Sequence, residues 1–106
     1  MLKKLFNTAG LPLKTRNFIV DYVDGAGKYS HKPMQSIMHV AEPETDMEVV
    51  QSIMHAIKAQ ENASVCSIIE VGEKYSLDEM IRFQDQPNRF PGYKVVYLNP
   101  ALAFGR

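Results

Sequence analysis

Between Arg16 and Val23 the chain runs through β-branched and aromatic residues, with Phe18, Val20 and Tyr22 on one side and Ile19, Asp21 and Val23 on the other. A period of two with this composition predicts a strand. Asp24-Gly25-Ala26-Gly27-Lys28 follows, and its two glycines tolerate the positive φ that a three- to five-residue hairpin loop needs. The chain therefore turns back into a second strand over residues 29 to 40. Pro33 lacks a ladder donor, which puts this strand at a sheet edge or divides it in two. Met34, Ile37, Met38 and Ala41 also have helical spacing, so a helix over residues 33 to 41 is the alternative.

The period then changes to that of a helix. Thr45-Asp46-Met47-Glu48 is a capping box, in which the Thr hydroxyl and the Glu carboxylate satisfy backbone donors that the first helical turn leaves open. Met47, Val50, Ile53, Met54 and Ile57 share one arc, and Glu48, Gln51, Ser52, His55 and Lys58 the other, up to an end near Gln60-Glu61-Asn62. Residues 64 to 71 are apolar on both faces, as a central strand requires. Ser76-Leu77-Asp78-Glu79 repeats the capping box and opens a short helix that turns Leu77, Met80, Ile81 and Phe83 to the sheet and stops before Pro87. Tyr93 to Leu98 forms a last strand, closed by Pro100.

These elements give the order β-β-α-β-α-β and an α+β fold, a two-layer sandwich. Links through helices favour right-handed crossovers, which predicts a four-stranded mixed sheet with both helices packed on one face. The apolar residues on the other face of strands three and four then need a cover, so a homodimer is expected. The domain covers residues 16 to 100, between a basic N-terminal arm (1 to 15) and an apolar C-terminal tail (101 to 106). At 106 residues, 45% of them apolar, the chain is sized for one core and not for two.

Charge sharpens this picture. Twelve Lys and Arg balance twelve Asp and Glu, which excludes indiscriminate binding to polyanions or to an anionic membrane. The balance is uneven along the chain. Residues 1 to 41 hold six cations against two acids, residues 42 to 85 three against ten, and the remainder three cations and no acid. One cysteine, Cys66, excludes an internal disulfide framework and fits a reducing, cytoplasmic setting. The opening Met1 to Gly10 is too short and polar for an export signal, and no window reaches the ~20 apolar residues of a membrane span.

Motifs that carry chemistry are sparse. Gln35-Ser36-Ile37-Met38-His39 recurs as Gln51-Ser52-Ile53-Met54-His55, but the match stops at five residues, once in a strand and once in a helix, so it reads as chance or local duplication. His31, His39, His55 and Cys66 lack the short spacing of a metal site, and no metal or other cofactor is expected. Cys66 in a central strand is a small hydrophobe. The stretch Gly25 to Ser30 lacks the first glycine and the hydroxyl residue of a phosphate loop and precedes a strand. Asn62-Ala63-Ser64 matches a glycosylation sequon and reads as a turn. The general pattern of a hairpin followed by a capped helix resembles that of many small phage and mobile-element proteins, without a motif to carry it.

The expected function is that of a small intracellular binding or regulatory protein, an inhibitor or adaptor and not an enzyme, acting through contacts with another protein. Its expected contact residues are Glu44, Glu48, Gln51 and His55 on the polar arc of the first helix, with Arg89, Phe90 and Tyr93 in the loop before the last strand, where an exposed aromatic beside Arg is the chemistry of an interface anchor. One alternative is a nucleic-acid surface built from Lys3, Lys4, Lys14, Arg16, Arg89 and Lys94. The other is a small enzyme using the acids Glu70, Glu73, Asp78 and Glu79 where the third strand meets the second helix.

Overall fold

The computed structural model describes residues 13 to 39 and 44 to 103. Four strands, β1 (Leu13–Asp24), β2 (Tyr29–His39), β3 (Ala63–Val71) and β4 (Lys94–Leu98), form one sheet in the order β2-β1-β3-β4. Helix α1 (Asp46–Glu61) joins β2 to β3, helix α2 (Leu77–Arg82) and a 3-10 turn (Pro87–Arg89) lie between β3 and β4, and a short helix α3 (Pro100–Ala103) follows β4. The order is close to the expected one, with the 3-10 turn and α3 added. The uncertain stretch after Pro33 is strand up to His39, and Pro33 stands in an edge strand. β1 starts at Leu13, within the expected arm. The rest of that arm, residues 1 to 12, and Phe104 to Arg106 of the tail lie outside the described residues.

Two expectations about the sheet are corrected. It is not mixed, since every neighbouring pair is antiparallel. The link β2-α1-β3 does join two strands of the same direction, but β1 lies between them and pairs antiparallel with each, so no parallel ladder forms. Nor do the helices share a face. On one side Phe18, Val20, Val65 and Ile68 pack against Val49, Ile53 and Ile57 of α1. On the other, Ile19 and Val71 pack with Met80 of α2 and Phe90, flanked by Ile69, Tyr75 and Phe83. Strands β1 and β3 are apolar on both faces and therefore need a cover on each.

Local chemistry fixes the elements much as their sequences require. Asp24 Oδ1 accepts from the amides of Ala26 and Lys28, and Gly27 takes φ 83°, which closes the hairpin. Both capping boxes form, Thr45 with Glu48 and Ser76 with Glu79. Asn62 ends α1 in the left-handed conformation, its amide donating to Lys58 O. Asn17, 1% exposed, donates to Gly72 O and Tyr75 O and accepts from Gln35, so this buried amide ties β1 to β2 and to the loop after β3.

An ion-pair network seats α1 on the sheet. Arg16 meets Glu70 with two parallel bonds, Nε to Oε2 at 2.8 Å and Nη2 to Oε1 at 2.7 Å. Its Nη2 also reaches Asp46 in the first turn of α1, whose other oxygen accepts from Lys94. A forked guanidinium–carboxylate pair fixes geometry as well as charge.

Candidate functional site

Among the described residues, the face that carries α2 is covered at one end only. Two rows of side chains cross the sheet at its other end. Strand register aligns His31, Asp21, Ser67 and Leu98 in one row, and Pro33, Ile19, Ile69 and Val95 in the next. These rows, Pro33 apart, floor a cleft of about 400 Å³, walled by Gln84, Asp85, Pro87 and Tyr93. That volume lies within the range of small-ligand sites.

Two irregularities in β3 and β4 build this floor. The register between β1 and β3 shifts between Asp21 and Tyr22, leaving Cys66 as the extra residue, fully buried. The register between β3 and β4 shifts between Ile68 and Ile69, leaving Val96 over. As a result Val96 and Tyr97 both pack on the α1 side while Val95 and Leu98 share the cleft side. Strict alternation would put Leu98 on the α1 side, and a bulge is the usual device for re-aiming a side chain.

The polar row has a definite order. His31 donates from Nδ1 to Asp21 Oδ1, an arrangement that orients the imidazole. Such a pair is part of a general base, yet a serine nucleophile needs the His between it and the acid. Here Asp21 stands between His31 and Ser67, two strand spacings or about 10 Å apart. The arrangement presents oriented polar groups, and the adjoining row of Ile19, Ile69 and Val95 presents an apolar surface.

The residues expected at a contact surface are divided by the sheet. Glu44, Glu48, Gln51 and His55 are exposed on the α1 side, with Glu48 engaged in the capping box. Arg89 and Tyr93 are exposed on the other side; the Arg89 guanidinium lies 4.2 Å from the centre of the Phe83 ring, and Tyr93 forms part of the cleft wall. Phe90 is corrected. It is 1% exposed, edge-on to Tyr75 in the α2-side core, so it anchors its own loop.

The nucleic-acid set loses cations to the fold. Arg16 is buried in its pairs with Glu70 and Asp46, and Lys94 is held by Asp46, while Lys14 is exposed. Lys3 and Lys4 lie outside the described residues. Nor do the four acids gather. Glu70 pairs with Arg16 on the α1 side, Glu79 caps α2 on the opposite side, and Glu73 and Asp78 are exposed. Among the described residues, no three His, Cys, Asp or Glu side chains are grouped to hold a metal ion, and no helix is long and apolar enough to cross a membrane.

The cleft was hidden from pattern reading because His31, Asp21 and Ser67 meet only through register. The one trace in the sequence is Asp21 itself, an acid at an otherwise apolar position of a central strand. Comparison with protein-family models, with curated proteins and with solved structures finds no match for the chain.

Proposed function

We propose that this chain is a small binding or regulatory protein, an inhibitor or adaptor, that acts through contact with another protein along β4 and the cleft beside it. One observation carries this reading. Val95 and Leu98, on the cleft face of β4, and Tyr93, just before the strand, are 53%, 44% and 42% exposed, and the outer edge of β4 pairs with no other described strand. Exposed apolar side chains that gather on a free sheet edge are a surface for strand addition.

The homodimer expected from uncovered apolar residues on strands three and four is a proposal for the same strip, with a second β4 laid against the first. The two occupants exclude one another, and the heterologous partner is favoured by the acids beside the strip, which two copies would bring close together. A photo-crosslinking side chain at Val95, in the protein's native cells, tests the reading. The expected product is an adduct with one different protein, lost on Leu98→Lys and retained when the crosslinker chain also carries Gln51→Ala. An adduct of twice the chain's own mass would assign the strip to a second copy, and no adduct would overturn the reading.

A further inference from the structure

The chemistry of the cleft narrows what the partner presents. Resting on the protein-contact reading above, we propose that the partner lays an extended segment along the free edge of β4 and places a lysine or arginine side chain in the cleft.

Three features of the site argue for this occupant. The first is the edge. β4 spans five residues and, among the described strands, is paired on one side only, so its outer amides and carbonyls suit an added strand, whose alternate side chains would fall on the cleft face. The second is shape and polarity. The cleft has an apolar row next to a polar one, and Lys and Arg bury a hydrocarbon stem while keeping a charged head among polar groups. Ile19, Ile69 and Val95 would line the stem, with Asp21, Gln84 and Asp85 around the head.

The third is charge. Among the described residues, two carboxylates, Asp21 and Asp85, line the cleft with the imidazole of His31, and no Lys or Arg does. Asp21 is engaged with His31, whereas Asp85, exposed in the loop after α2, forms no ion pair with any described residue. An acidic segment would meet the like charge of Asp85 here, and a purely apolar one would strip water from Asp85 without replacing it. A cation does neither.

Selection of a random heptapeptide display library on the purified full chain tests the proposal. Enriched peptides should share one Lys or Arg with apolar residues two positions to either side. Their synthetic forms should bind about tenfold more weakly to Asp85→Asn, and more weakly in high salt. Asp85 is exposed, so the variant should keep the parent's melting temperature, and equal binding to both proteins would overturn the proposal. Enriched peptides that carry no cation but are lost on Val95→Lys would overturn the cationic occupant while leaving the protein-contact reading standing. Binding insensitive to both substitutions, or no enrichment, would overturn both.

Discussion

Phe90 sits between Arg89 and Pro91 in a polar loop, the setting of a surface aromatic, yet it is 1% exposed and edge-on to Tyr75 at 4.9 Å. Its ring fills the α2-side core with Ile19, Val71 and Met80. Phe90→Ala should therefore cost about 3 to 5 kcal/mol, measured by urea unfolding, because it leaves a cavity in a small core. Arg16 shows the same reversal for a charge. Read from sequence it is one cation of a basic arm, but in the fold its guanidinium is forked onto Glu70 and held further above its usual pKa, chiefly by that bond. Arg16→Met should destabilise the protein by about 3 kcal/mol, since it leaves Glu70 part-buried without its partner. An unchanged unfolding midpoint would show that water replaces the guanidinium without loss.

At the scale of elements, the caps were legible because they are local. Thr45 and Glu48, or Ser76 and Glu79, satisfy each other within one turn and need nothing from the rest of the chain. Thr45→Ala should cost about 1 kcal/mol in the same unfolding experiment. The face of α1 was less legible. Val49, Ile53 and Ile57 are its buried residues, while Met47 is 71% exposed, so the apolar arc is rotated from the one that the sequence pattern favours. The sheet supplied the reason, because Phe18, Val20, Val65 and Ile68 receive Val49, Ile53 and Ile57, while Asp46 at the start of the helix is paired with Arg16 and Lys94 of the sheet.

The same network gives a pH dependence with a definite sign. The Lys94 ammonium, and after it the Arg16 guanidinium, hold the Asp46 carboxyl below its usual value. The unfolded chain then takes up that proton at a higher pH than the folded one. The contribution of Asp46 to stability is complete above the usual carboxylate range near pH 4 and is lost as pH falls through the lowered value. Glu48 is lowered as well, chiefly by the Thr45 amide, and adds in the same direction. Asp46→Asn should flatten the fall in melting temperature between pH 4 and pH 2, and at pH 7 should cost no more than about 1 kcal/mol because Asp46 is half exposed.

For the whole molecule, the basic–acidic–basic order along the chain is the raw material of internal pairing. Arg16 and Lys94 come from the two basic ends and meet Asp46 and Glu70 of the acidic middle, and Lys32 pairs with Glu61. Arg16 and Lys94, two of the cations that sequence offered for a partner, are engaged within the fold, whereas Asp85 in the cleft is in no ion pair with a described residue. The two faces also differ in cover, a full helix on one and a six-residue helix with a loop on the other. Cys66, fully buried at the bulge in β3, reports on the integrity of the whole. Its alkylation by iodoacetamide should be slow in water and rise with urea in step with global unfolding; fast labelling in water would reveal a local opening beside the cleft.

The sequence by itself determined the features that short-range physics decides. The hairpin follows from glycines that accept its turn, the starts of α1 and α2 follow from capping pairs three residues apart, and β1, β3 and β4 follow from runs of β-branched, aromatic and other apolar residues, whereas β2 beyond Pro33 stayed open between strand and helix. Only the tertiary structure decided which strands are neighbours, which face each helix covers, and therefore where the cleft lies. Those choices depend on contacts between residues tens of positions apart, such as Arg16 with Glu70 or Asp21 with Ser67. A one-residue bulge at Val96 moves Leu98 from one face to the other. Side-chain direction in a strand has a period of two, so a single extra residue inverts everything after it, and no local pattern announces which residue will be extra.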